Sequence, residues 1–247
     1  MIYNILNIFR LGCYCLLISA LSGDLSLSDA IISVLSCLVV IFFTMPIHEW
    51  AHGRMSTLLG DPTPRYQGRL TLNPMAHIDW FGAAGILLFG VGWAKPVQVN
   101  ARYYKNPKWG MALVAFAGPL SNVALAFVSL IFAEVVRFIA YSTNVFGGND
   151  ILPALIYLFF FVIANINVRL AVFNFIPIPP FDGSRILFAF LPQRLYFKIM
   201  QYERFVFIGI LILLYTGIFD LPISLLSGKI FTALESLASL PFNLFGV

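Results

Sequence analysis

The sequence predicts an all-α polytopic membrane protein with about six transmembrane helices and a small β-strand and re-entrant loop region on the cytoplasmic side. Three observations predict it. Hydrophobic residues fill 60% of the 247 positions and charged residues only 11%, so a water-soluble domain of this size would be short of polar surface. The apolar residues fall in long runs that include most of the 25 Phe, and mean hydropathy is +0.89. Lys and Arg gather in alternate loops, as the positive-inside rule requires of a multi-span chain. The net charge of +4 is modest, and its distribution reads as topology and not as nucleic-acid binding. Cys13, Cys15 and Cys37 lie in apolar segments, and their odd number argues against a disulfide framework, so they read as packing residues. No internal repeat or appended soluble domain is visible, and residues 1–247 read as one membrane-embedded domain.

Each element follows from local chemistry. The first apolar run gives a span over residues 4–21. It reads as a retained helix and not a cleaved signal peptide, because no clean small-residue cleavage site stands out and a second span follows quickly. Residues 29–59 form the second span. From Gly60 to Lys108 the chain is rich in Pro, Gly and Asn, and Arg65, Arg69, Lys95, Arg102, Lys105 and Lys108 put this stretch on the cytoplasmic side. Within it, Arg65–Leu72 and Val97–Val99 read as short strands. Ala83–Trp93 is apolar but too short to span, and is expected to be a re-entrant or interfacial loop. The third span, 109–133, contains Pro119, which removes a backbone donor, and Asn122, which requires a partner in lipid. Glu134–Asp150 reads as an outside loop. The fourth span, 151–173, runs into Asn174-Phe175-Ile176-Pro177-Ile178-Pro179-Pro180-Phe181-Asp182-Gly183, where the prolines cannot continue a helix. Asp182 opens a further helical segment, and Arg185, Arg194, Lys198 and Arg204 return the chain to the cytoplasm. The last spans are 205–219 and 221–240, the second interrupted by Lys229 and Glu235, and both termini are expected in the cytoplasm.

The chemistry centres on His48-Glu49-Trp50-Ala51-His52, placed directly after an uncharged run from Ala30 to Ile47. On a helix, His48 and His52 lie one turn apart on one face, so both imidazoles can reach one zinc ion. Glu49 lies beside them as a candidate base for a water. That is the layout of a zinc hydrolase. Buried, hydrogen-bonded histidines with an ion-paired Glu are the ordinary alternative, but ionisable side chains in an apolar run are costly and usually mark a site.

Two histidines rarely suffice, and the candidates for a third ligand are His77, Asp79, Asp61 and Asp182. The extended soluble-protease pattern would place Gly and His where Met55 and Leu58 stand. His77 and Asp79 lie in the charged loop, where turn-stabilising roles are ordinary. Asp182 is preferred, as an acid in an apolar, proline-broken segment; the alternative is a helix-capping Asp.

His48-Glu49-x-x-His52, followed far downstream by Asn174-x-x-Pro177-x-Pro179-x-x-Asp182-Gly183, resembles the site-2 protease family of intramembrane zinc metalloproteases. Gly118-Pro119-x-x-Asn122, Gly60-Asp61-Pro62, Leu72-Asn73-Pro74-x-Ala76-His77 and Trp93-Ala94-Lys95-Pro96-Val97 are similar to its small bacterial branch, with neither a PDZ-like insertion nor a CBS-type domain visible. The resemblance covers roughly Ile41 to Leu187. It implies cleavage of a transmembrane segment of a partner protein within or near the bilayer. The loop charges direct the second span from outside to inside and so put His48 and His52 toward the cytoplasm, and the small size suggests a bacterial plasma membrane. The resemblance also implies one zinc held by His48, His52 and Asp182, Glu49 as base, and Asn174 and Asn122 as oxyanion or substrate contacts, Asn174 equally serving to satisfy a broken helix. The expected strands would hold the unwound substrate by edge pairing. A metal-binding membrane transporter and a catalytically silent helix-binding relative are the alternatives.

Overall fold

A computed structural model of the protein describes residues 31, 34, 35, 37–89, 93–143, 151–192, 195, 201, 202, 205, 206, 209, 210, 213 and 216–243. A π-helical segment, Val40–Thr44, leads into α1 (Met45–Leu58). The cause is Pro46, which lacks the N–H that an α-helix would direct at Phe42. The ladder widens instead, and the Met45 N–H reaches back to Val40. After α1 come a short helix α2 (Thr63–Tyr66) and α3 (Trp80–Phe89). Asp79 starts α3 by accepting the Gly82 N–H on its side chain. Then follow α4 (Pro107–Thr143), α5 (Ile151–Asn174), α6 (Asp182–Phe188) and α7 (Asp220–Asn243).

Among the described residues, three helices are long and apolar enough to cross a membrane: Pro107–Ser142, Leu152–Asn174 and Asp220–Asn243. The expected span 4–21 lies outside the described residues, and those over 29–59 and 205–219 lie partly outside them. Helix α4 has 37 residues, about 55 Å at 1.5 Å per residue, well beyond a hydrocarbon core of about 30 Å. It is the element on which α1, α5, α6 and α7 all pack. Where α4, α5 and α7 meet, Ala126, Leu130, Ala164, Val168, Phe231 and Ala238 form a buried core. The alanines matter because small side chains let helix backbones approach closely where lipid supplies no hydrophobic drive. Asn167, fully buried on α5, donates to Thr44 Oγ1 (3.3 Å) and to the Ile163 carbonyl (2.9 Å), tying α5 to the π segment.

Two expectations are corrected. No strand forms at Arg65–Leu72 or Val97–Val99. Pro62 and Pro64 favour the helical turn Thr63–Tyr66, and Gly68, at φ +66°, bends the chain after it. In the second stretch, the Val97 N–H donates to the Glu49 carboxylate and not to a ladder. The loop expected over Glu134–Asp150 is helical as far as Thr143, because Glu134 and Arg137 pair across one turn (2.6 Å) and the intervening residues are apolar. Ala83–Trp93 is helical through Phe89, with residues 90–92 outside the described residues.

Replacing Ala126 or Ala164 with Leu overfills the seam between α4 and α5. Each change should lower stability by about 1–3 kcal/mol, read as a fall in the thermal midpoint of the detergent-solubilised protein. An unchanged midpoint would show that the seam has room to spare.

Candidate metal centre and active site

Helix α1 presents His48 and His52 side by side, with their Nε2 atoms 3.0 Å apart. Their orientation is set from α4. His52 Nδ1 donates to the Val114 carbonyl at 2.7 Å, so its Nε2 carries the lone pair that faces His48. Gly118, one turn further along α4, makes room for both rings: a Cβ there would lie 2.4 Å from His52 Cε1 and 2.6 Å from His48 Cε1.

Asp182 arrives from the other side. After α5 the chain runs through the proline-rich stretch, and the backbone of α6 begins against it. A Cβ at position 183 would lie 2.2 Å from the Phe175 carbonyl oxygen, so only Gly183 allows this approach. The first turn of α6 then aims Asp182 Oδ2 at both histidines, 3.3 Å from each Nε2. Asp182 does not cap α6; Phe181 occupies the cap position without a side-chain bond, while Ser184 Oγ donates to the Phe181 carbonyl. Asp182 Oδ2 is buried with no hydrogen-bond partner among the described residues.

The donor set fits zinc. Tetrahedral zinc with bonds of 2.0–2.1 Å to nitrogen or oxygen holds its ligand atoms about 3.3 Å apart, close to the separations found here. Glu49 lies next to the trio, its Oε2 accepting the Val97 N–H at 2.9 Å. All four side chains line one cavity of about 400 Å³, whose walls include Trp93, Val97, Val99, Phe173 and Phe181. Asn122, Asn174 and Arg185 also reach it.

A family model described as peptidase family M50 matches residues 36–216. The chain belongs to peptidase family M50. It is 40% identical over 181 residues to "Putative zinc metalloprotease YwhC" of Bacillus subtilis, covering 72% of this chain and 78% of that protein. It is 36% identical over 104 residues to "Putative zinc metalloprotease MJ0611" of Methanocaldococcus jannaschii, covering 41% of this chain and 46% of that protein. No solved structure matches. The M50 chain is thus a membrane zinc metalloprotease, as its motifs led us to expect.

The structure brings His48, Glu49, His52 and Asp182 together and sends the other candidate ligands elsewhere. His77 is buried with its Nε2 at 2.8 Å from the Thr71 carbonyl, Asp79 caps α3, and Asp61 is enclosed by its own hydrogen bonds. Asn122 Oδ1 is buried without a partner among the described residues, and Asn174 Nδ2 donates to the Leu170 carbonyl at 3.0 Å. Sequence reading missed three contributors. The Val114 carbonyl and the Val97 N–H are backbone groups with no sequence signature. The clearance role of Gly118 was hidden behind the more conspicuous Pro119, although a glycine beside a proline in a membrane helix is itself a packing signal.

Substituting Gly118 by Ala should displace both imidazoles and weaken zinc binding by about 10- to 100-fold, the range seen when groups that orient metal ligands are disturbed. Competition with a zinc chelator on the purified protein measures this; wild-type affinity would contradict the clearance argument.

Proposed function

We propose that this M50 chain is a single-domain intramembrane endopeptidase that hydrolyses a peptide bond in a transmembrane segment of a partner protein. The observation that carries the reading is the convergence of His48 Nε2, His52 Nε2 and Asp182 Oδ2 beside the Glu49 carboxylate in one apolar-walled cavity. In this reading His48, His52 and Asp182 hold one zinc, which when bound supplies a Lewis acid that activates a water and polarises a peptide carbonyl.

The chain's own groups do the rest. Glu49 Oε2 is engaged by Val97, so Oε1 is the atom left to accept a proton from water and pass it to the departing amine nitrogen. Val114 keeps His52 in the tautomer that presents Nε2. Asn122 and Asn174 line the cavity and contact the substrate backbone near the reacting carbonyl. A helical substrate hides its carbonyls in its own hydrogen bonds, so it unwinds locally before it enters. The full topology is six spans with both termini in the cytoplasm of a plasma membrane. The charge-rich stretch from Gly60 to Lys108 supports placing the site on the cytoplasmic side.

Glu49→Gln should keep about one zinc per chain and lose cleavage of a single-span membrane substrate by a factor of about 10² to 10⁴. Zinc analysis and gel-based cleavage on the same preparation check both halves; wild-type turnover in the variant would remove Glu49 from the base role. Asp182→Asn should lose zinc as well as activity, and a variant that retains the metal at full affinity would show that a different residue completes the site. Chelation of the wild type should abolish cleavage, and added zinc should restore it.

A further inference from the structure

Asp61 lies just beyond the end of α1, fully buried, and does not line the active-site cavity. Its carboxylate is nevertheless closely held. Oδ2 accepts the Ser56 hydroxyl and the Asn100 N–H, each at 2.7 Å, and Oδ1 accepts the Thr63 N–H at 2.9 Å. Ser56 is itself fully buried, with the Tyr104 hydroxyl 2.8 Å from its Oγ. A carboxylate is costly to bury unless donors surround it, and these are charge-assisted bonds, the stronger class. Burial pushes the Asp61 carboxyl up, but the donors from Asn100, Thr63 and Ser56 outweigh it and hold it below the ordinary carboxylate range. It is therefore ionised at neutral pH.

What this hub grips is the segment that lies over the site. Trp93, Ala94, Pro96, Val97 and Val99 line the cavity, and the segment is tied at two points, one on α1 and one just beyond its end. Val97 donates to Glu49, and three residues later Asn100, which is extended at φ −120° and ψ 99°, donates to Asp61 beside Ser56. The two spacings agree. Glu49 to Ser56 is seven residues of helix, about 10 Å, and the three residues from Val97 to Asn100 reach about the same distance when extended. The strap thus runs along α1, with one end on Glu49 and the other on the Asp61 hub.

We propose that Asp61 is a positioning residue for hydrolysis: by clamping Asn100 it fixes the Val97 N–H, which anchors Glu49 Oε2 and leaves Oε1 directed at the cavity. The proposal rests on the reading of Glu49 as the base. Asp61 touches neither the metal ligands nor the cavity, so it reaches Glu49 through Asn100 and the strap, while Ser56 ties the hub to the last turn of α1.

The test compares wild type, Asp61→Asn, Ser56→Ala and Glu49→Gln for zinc content, kcat and KM on one single-span substrate, and amide hydrogen exchange across residues 96–101. Asp61→Asn should keep its zinc, exchange faster over 96–101 with zinc absent as well as present, and lose about 10- to 100-fold in kcat with KM little changed. Ser56→Ala removes one donor without touching the backbone and should shift exchange and kcat the same way by a smaller factor. It decides the matter by the same criteria if Asp61→Asn does not fold. Faster exchange with unchanged kcat, unchanged exchange, or a loss confined to KM would each overturn the proposal while an inactive, zinc-loaded Glu49→Gln left the base reading standing. An active Glu49→Gln would overturn both.

Discussion

Three electron-pair donors, His48 Nε2, His52 Nε2 and Asp182 Oδ2, are held 3.0–3.3 Å from one another where water is scarce. Without a cation between them their lone pairs repel, and the buried carboxylate oxygen has no donor among the described residues. The rest of the structure supplies the geometry that makes this arrangement usable. The His pair comes from one face of α1, the aspartate from the start of α6, and both helices pack on α4 as the common support.

That support works mostly by subtraction. Gly118 leaves space for two imidazoles, Gly183 lets α6 begin against the Phe175 carbonyl, and alanines bring α4, α5 and α7 into close register. Pro46 removes a donor, and the helix widens into a π turn immediately before the His-Glu-x-x-His motif. Some of the buried polar groups serve as ties between segments. Asn167 joins α5 to Thr44, and Asp61 collects the donors that hold the strap over the site. In an apolar setting an unpaired polar group is costly, so each such group reports what it is there to hold.

The limits of sequence reading have the same origin. Val97–Val99 alternates like a strand, but alternation records only which side chains face inward, not where the N–H groups go. Here the Val97 N–H goes to the Glu49 carboxylate, 48 residues away, and the Asn100 N–H just after the stretch goes to Asp61, 39 residues away. Taken singly, Glu134 and Arg137 read as the polar edge of a loop. Paired one turn apart, they let the helix continue to Thr143.

By itself the sequence determined the membrane class, the helical spacing that puts His48 and His52 on one face with Glu49 beside them, and the chemical oddity of Asp182 after a proline-rich break. These are local properties, set by composition and by 3.6 residues per turn. Only the tertiary structure decided that Asp182 meets the histidine pair while His77, Asp79 and Asp61 turn to other partners. It also decided that Gly118 is the space they occupy, and that a backbone N–H from position 97 steadies Glu49. Those outcomes depend on which backbones approach one another and on carbonyl and amide groups that every residue shares, so no residue type announces them.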